Sequence, residues 1–371
     1  MTNPIWTPSA ELIEDSNLKK FINTHGTQLT SLDYPGLYEW SITNPEDFWE
    51  ACWHFSGIRA TTNYNRVLTK PKKMPGARWF EGAYLNFADN LLRPEYNGTA
   101  IVFYSETDKR IELSWAELRE NVASVAHALK QYGVRPGDRV VGLLPNRPEA
   151  VIAMLASASL GAIWSSCSPD FGPKGILDRF DQIKPKVMFV TDEYFYNGKV
   201  IDCLTTAKMV ARQLETLEAL IVVPYSNGNQ NLGTLPNAIR YNDLLGEPAP
   251  LQFEALPFAH PLYIMYSSGT TGAPKCIIHG AGGTLLQHQK EHLLHCNLKP
   301  GDTVFYFTTT GWMMWNWIVS TLASGAKLIL FDGSPFYPDP GALWRIAERE
   351  QLTLFGTSAK YLSALEKSGY K

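Results

Sequence analysis

From Thr99 onward the apolar positions fall into short blocks separated by longer amphipathic stretches. "TAIVFY" (99–104) and "RIEL" (110–113) read as strands. Ser114 then precedes a helical apolar period over "WAELRENVASVAHALKQYG", with Glu117 three residues on. This is a capping box, in which the hydroxyl and the carboxylate each satisfy an orphan amide of the first turn. Gly133 supplies a left-handed stop. "RPGD" turns the chain, "RVVGLL" is the next strand, a helix runs from about Pro148 to Leu160, and a strand lies near "AIWSS". The run "VIAMLASASLGAIW" (Val151 to Trp164) falls short of the ~20 residues of a bilayer span and reads as a buried helix entering a strand.

The alternation continues. "GPKGILDRFDQIKP" reads as helix, "KVMFV" as strand, "LTTAKMVARQLETL" as helix and "ALIVV" as strand, and "PYSNGNQNLGTLPN" is a loop. After Pro261 come the strand "LYIMY", a polar loop, a helix near Gly282 to His295 and the strand "TVFYF". Two further helix–strand units end at "TLFG" and "KYLSALEKS". Residues 1–95 differ: they read as irregular, rich in Trp, Pro and Asn, with no repeating βα pattern. There "WFEGAYLNFADNLL" (Trp79 to Leu92) reads as an aromatic-anchored covering segment followed by a short helix. The expectation is an α/β fold of largely parallel sheets layered with helices, with 1–95 as a covering segment and 96–371 as the main domain.

Composition narrows the classes. With 371 residues, 45% hydrophobic and 19% charged, the chain can build a sizeable core and is not globally disordered. A formal charge of -3 lacks the basic excess of a nucleic-acid binder. Cys52, Cys167, Cys203, Cys276 and Cys296 are scattered, odd in number and without a CxxC, as in a reduced cytoplasmic protein. The first residues show neither the basic cap nor the apolar stretch of a signal peptide. A cytoplasmic protein with no membrane or nucleic-acid partner is expected; oligomeric state is not legible.

The candidate chemistry centres on "YSSGTTGAPK" (Tyr266 to Lys275), which leaves the strand "LYIMY". Ligands of parallel sheets bind beyond the carboxyl ends of strands. Small hydroxyls and glycines there bring backbone N–H groups close to an anion, and Lys275 adds a point charge. That chemistry suits polyphosphate. The spacing departs from the Walker pattern, because Pro274 lies five positions after Gly269 and Cys276 follows the lysine. A flexible linker is the alternative, but linkers rarely emerge from a buried strand. His288, His292 and His295 share one face of a predicted helix, yet Gln289 stands where a zinc protease carries Glu, so no metal site is expected. Ser166 and Ser168 flank Cys167 without a nucleophile-elbow pattern and read as loop residues.

The loop resembles the phosphate-binding loop of the adenylate-forming superfamily, which includes acyl-CoA synthetases, luciferases and peptide-synthetase adenylation domains. "LSWAELRE" (Leu113 to Glu120) and "LGAIWSSCSPDFG" (Leu160 to Gly172) are similar to further stretches of that family, and "WFEGAYLNFADNLL" looks like the N-terminal segment of its acetyl-CoA synthetase branch. "TTTGWMMWNWIVSTLASGAKLILFDGSP" (Thr308 to Pro335) and "FGTSAKYL" (Phe355 to Leu362) resemble the acetoacetyl-CoA synthetase branch more closely.

The resemblance implies two steps: a carboxylate attacks the α-phosphate of ATP, then the thiol of CoA displaces AMP. It implies that Ser267, Ser268, Gly269, Thr270, Thr271, Gly272 and Lys275 grip the β- and γ-phosphates together with Mg²⁺. "GWMMWNW" would line the acid pocket, with Gly311, Trp312 and Met313 foremost, then Trp315 and Asn316. An aromatic stripe at helical spacing is otherwise core, so Trp315 and Trp317 stay open. Whether Asn316 or a Trp indole would meet the ketone of a β-keto acid is not decided at this level. Lys199 falls near where relatives place basic residues for CoA phosphates, although an exposed loop lysine is the plainer reading. The family's adenine loop, its ribose-binding Asp and its C-terminal domain with the adenylation lysine have no counterpart before Lys371. The expectation is therefore an N-terminal fragment, its catalytic residues unassigned, from an acetoacetate–CoA ligase. A ligase for acetate or propionate, or a non-catalytic nucleotide-binding or scaffolding module, remains open.

Overall fold

The computed structural model describes residues 6–29, 31–226, 232–245, 249–268 and 272–370. Two sheets organise it. The larger has seven strands in the order Ala238–Arg240, Ala219–Val223, Val187–Thr191, Arg139–Leu143, Ile163–Cys167, Pro261–Ser267 and Lys275–Gly280. All neighbours are parallel except the last pair. The smaller has five strands in the order Leu354–Gly356, Thr303–Tyr306, Lys327–Asp332, Thr99–Ser105 and Arg110–Ser114, again parallel but for its final antiparallel edge.

Side-chain alternation along the strands sorts the core into layers. Val140, Trp164, Phe189 and Ile221 of the large sheet and Ile101, Phe103, Leu328 and Leu330 of the small one face a shared interior. Helices Trp115–Gln131 and Pro148–Ser159 fill it. The second of these is buried on every side, which its near-continuous apolar sequence requires. The opposite face of the large sheet (Val141, Leu143, Met188, Leu220) packs on helices Pro173–Ile183 and Leu204–Ala211. The opposite face of the small sheet (Val102, Tyr104, Ile329, Phe331) packs on helices Ala342–Glu350 and Ala359–Ser368. The result is helix, sheet, helix, sheet, helix, the expected α/β class. The capping box at Ser114 and Glu117 is present, and Gly133 sits just past the helix at φ 72°.

Three expectations are corrected. Residues before 60 are not irregular: they form helices Ala10–Glu14, Asn17–His25, Tyr34–Thr43 and Pro45–Phe55. Each of the first three is capped by a side-chain oxygen, from Ser9, Ser16 and Asp33 in turn, and Pro45 opens the fourth. Second, a strand, Lys275–Gly280, intervenes before the helix that begins at Ala281. Third, Lys199 is not in a loop. It begins the second strand of a hairpin, Glu193–Tyr196 with Lys199–Asp202, turned by Asn197 and Gly198 at φ 54° and 75°. Positive φ at both positions is the two-residue turn that asparagine–glycine favours.

The N-terminal helices carry Phe21, Trp40, Phe48 and Trp53 into an aromatic cluster with Phe80, Phe258, Leu286 and Leu294. Trp53 stacks on Phe80 at 4.8 Å. The Asn17 N–H donates to Asn297 Oδ1 at 2.8 Å. The early segment is thus seated on the middle of the chain.

Among the described residues no helix is long and apolar enough to cross a membrane.

Candidate functional site

The carboxyl ends of strands from both sheets meet, stitched by buried polar side chains. The Thr310 hydroxyl donates to the Leu144 carbonyl at 2.7 Å, and the Ser166 hydroxyl donates to the Thr310 carbonyl at 2.7 Å. The Asn146 amide donates to the carbonyls of Thr308 (3.4 Å) and Phe331 (3.3 Å). The Trp315 N–H donates to Asn146 Oδ1 at 2.9 Å. These bonds hold the segment after Tyr306 across the end of the large sheet, so Ser166 has a structural role there.

The hydroxyl-rich loop begins at the carboxyl end of Pro261–Ser267, between a parallel neighbour and the antiparallel edge. Ser267 is half-buried, Ser268 is exposed, and Lys275 is exposed directly across the ladder from Ser267. Among the described residues Lys275 forms no ion pair. Gly272 has φ 126°, and among the described residues nothing lies within 4 Å of where its Cβ would be. The Gln182 amide donates to the Pro274 carbonyl at 2.9 Å, fixing the far limb of the loop to helix Pro173–Ile183. Gly269, Thr270 and Thr271 lie outside the described residues.

A stack joins this loop to the second motif. The Arg179 guanidinium lies 5.6 Å from the ring of Tyr266 and 4.5 Å from that of Phe171. A Cβ at Gly311 would sit 3.2 Å from Phe171 and 3.3 Å from the Ser168 amide nitrogen. Gly311, Trp312 and Met313 are exposed, at the start of helix Met313–Val319. Trp315 and Asn316 are buried behind them, and the Asn316 amide donates to Met265 Sδ at 3.3 Å. The structure therefore gathers Ser267, Tyr266, Arg179, Phe171, Gly311 and Asn316 around one region and spends the Trp315 indole on Asn146. Sequence reading missed Arg179 and Phe171. An aromatic just before helix Pro173–Ile183 and a cation within it, next to a strand end, were the available signal.

The histidines take another course. The helix from Ala281 passes into a π-turn over Glu291–His295, so His295 is exposed while His288 and His292 are buried. The shared face expected of all three does not persist. Burial lowers the His288 pKa to about 3 and pushes His292 well below its ordinary range, so both stay neutral.

A buried acid cluster lies behind the strand ends. The Tyr225 hydroxyl donates to Asp332 Oδ2 at 2.8 Å. Burial lifts the Asp332 carboxyl to about 7, opposed by that hydrogen bond and by Arg147, and aided by the charge of Glu106. A carboxyl with a raised folded-state pKa takes up a proton more readily in the folded chain, so its contribution falls as pH climbs from about 4 through 7. Asp332→Asn mimics the protonated form. Its melting temperature relative to the parent should rise by roughly 1–3 °C between pH 5.5 and 8.5. Parallel melting curves across that range would contradict the assignment.

Residues 89–370 match the model of the AMP-binding enzyme family, and residues 34–91 match that of the acetyl-coenzyme A synthetase N-terminus. The chain is 46% identical to an acetoacetyl-coenzyme A synthetase of Rhizobium meliloti, over 99% of this chain and 57% of that one. It is 45% identical to an acetoacetyl-CoA synthetase of Mus musculus, over 99% of this chain and 56% of that one. A solved structure of an acetoacetyl-CoA synthetase from Streptomyces lividans superposes with a TM-score of 0.94 at 43% identity, covering 99% of this chain and 57% of that one. The chain spans just over half the length of these relatives.

Proposed function

Because the chain belongs to the AMP-binding enzyme family, we propose that its protein is an ATP-dependent, AMP-forming ligase joining acetoacetate to CoA. The observation that carries this reading is the likeness to acetoacetyl-CoA synthetases over 99% of the chain, the loop and the helix Met313–Val319 included. An acid carboxylate oxygen attacks the α-phosphorus of ATP, and the bond to pyrophosphate breaks. The CoA thiol then adds to the acyl carbonyl, losing its proton, and AMP leaves. Like charges oppose the first encounter, so the rate rests on positioning and on neutralising phosphate.

Ser267, Ser268, Gly269, Thr270, Thr271, Gly272 and Lys275 hold the β- and γ-phosphates in this reading. The exposed Ser268, the exposed Lys275, without an ion pair among the described residues, and the positive φ of Gly272 support it. Mg²⁺, which prefers phosphate oxygens, would supply further neutralisation when bound with ATP. Gly311, Trp312 and Met313 form the mouth of the acid pocket and Asn316 its inner wall. Residues 1–95 form a covering segment.

The test is acid-dependent ATP–pyrophosphate exchange on the protein at its natural length. Acetoacetate should outperform acetate and propionate by roughly tenfold or more in kcat/KM, as expected of a site that pairs a substrate carbonyl. Equal or better exchange with acetate or propionate would move the assignment to a ligase for those acids. No exchange with any acid, alongside ATP–Mg²⁺ binding by titration, would leave a nucleotide-binding module without catalysis.

A further inference from the structure

Acetoacetate carries a carbonyl at C3, and an unpaired carbonyl in an apolar pocket is costly. Helix Met313–Val319 and the residue before it offer four side-chain donors. Trp312 is 67% exposed, outside any enclosed wall. The Trp315 N–H is spent on Asn146 Oδ1, and the Trp317 N–H donates to Glu291 Oε2 at 2.7 Å. That leaves Asn316.

Its amide is poorly satisfied for so buried a group. At 3% exposure, Asn316 donates from Nδ2 only to the Met265 thioether, a weak acceptor, and its Oδ1 is buried with no partner among the described residues. Buried amides in native interiors are rarely left in this state. The backbone beneath it is fixed: the Ser320 hydroxyl donates to the Asn316 carbonyl at 2.9 Å, and His288 Nδ1 meets that hydroxyl at 2.8 Å. Burial keeps His288 neutral. Met265 is half-buried on the strand that leads to the hydroxyl-rich loop, and its thioether covers the amide at 3.3 Å. Met is the residue best able to swing aside for a ligand.

We propose that Asn316 reads the C3 carbonyl of the acid, donating from its amide once the Met265 side chain is displaced, and so selects 3-oxo acids over plain alkyl acids of equal length. This rests on the ligase reading and names the specificity residue within it. Because both Trp indoles on the helix are occupied, the amide is the buried side-chain donor that this helix has left.

The experiment compares acetoacetate with butyrate, which replaces the carbonyl by a methylene, in ATP–pyrophosphate exchange at the protein's natural length. Asn316→Leu keeps the branched shape and removes both polar atoms. It should lower kcat/KM for acetoacetate by about 10–100-fold and leave butyrate within about threefold. If N316L fails to fold, judged by circular dichroism, Asn316→Ser should shift the same ratio in the same direction. An unchanged acetoacetate-to-butyrate ratio in the folded variant overturns the role of Asn316 while the parent's exchange still supports the ligase. Absence of exchange in the parent for every acid instead defeats the ligase reading itself.

Discussion

Lys275→Ala is expected to reduce acetoacetate-dependent ATP–pyrophosphate exchange by about two to three orders of magnitude. The side chain is exposed, lies across the ladder from Ser267, and forms no ion pair among the described residues. Removing it disturbs no packing, and surface changes of that kind shift stability by about 0.5 kcal/mol or less. The whole loss should therefore appear in chemistry. The first step should suffer more than the second, because transfer of a preformed acyl-adenylate to CoA no longer involves the outer phosphates. Lys275→Arg, which keeps charge but changes its shape and hydration, should fall between. Exchange within about threefold of the parent would remove Lys275 from the proposed phosphate grip.

Glu106→Leu should cost about 3–5 kcal/mol of stability in urea unfolding, through backbone groups rather than packing. The Glu106 carboxylate, 5% exposed, accepts three main-chain N–H groups: Asn197 at 2.8 Å, Gly198 at 2.8 Å and Ser334 at 2.7 Å. It thereby joins the hairpin tip to the turn after Lys327–Asp332. That turn needs glycine: Gly333 has φ 134°, and a Cβ there would sit 2.6 Å from the Glu106 Cβ. Leucine fills the space and leaves three donors unpaired. Glu106→Gln keeps one carbonyl oxygen and should cost less, about 1–2 kcal/mol, because its amide group then faces an N–H it cannot accept from. An Glu106→Leu loss no larger than that of Glu106→Gln would show that the hairpin tip does not depend on these bonds.

The layered fold was legible because its strands and helices announce themselves by period. Val187–Thr191 and Ala219–Val223 are buried at every position and read as unbroken apolar runs. Ser114 and Glu117 declare their helix chemically. Lys275–Gly280 was illegible for the opposite reason. It is an edge strand with four exposed residues at its start, so neither alternation nor a continuous apolar run marks it. The hairpin turn at Asn197 and Gly198 was readable from that pair alone, but its short flanking strands are exposed or half-buried and gave no pattern. The early helices were hidden by their shortness, although Ser16 and Asp33 carried the capping signal.

The site divides in the same way. Residue type located the loop and the aromatic stretch. It could not tell that Trp315 is committed to Asn146 while Asn316 is left with a thioether, because hydrogen-bond partners 169 and 51 residues away are set by topology.

The aromatic cluster of the early helices has a consequence for how the chain is made. Phe21, Trp40 and Trp53 leave the ribosome long before Phe258, Leu286 and Leu294, against which they pack. During synthesis these rings have no native lid, and the leading segment must wait, uncovered or chaperoned, until more than two hundred further residues have been translated. A segment translated early is thereby completed only after the middle of the chain has followed it.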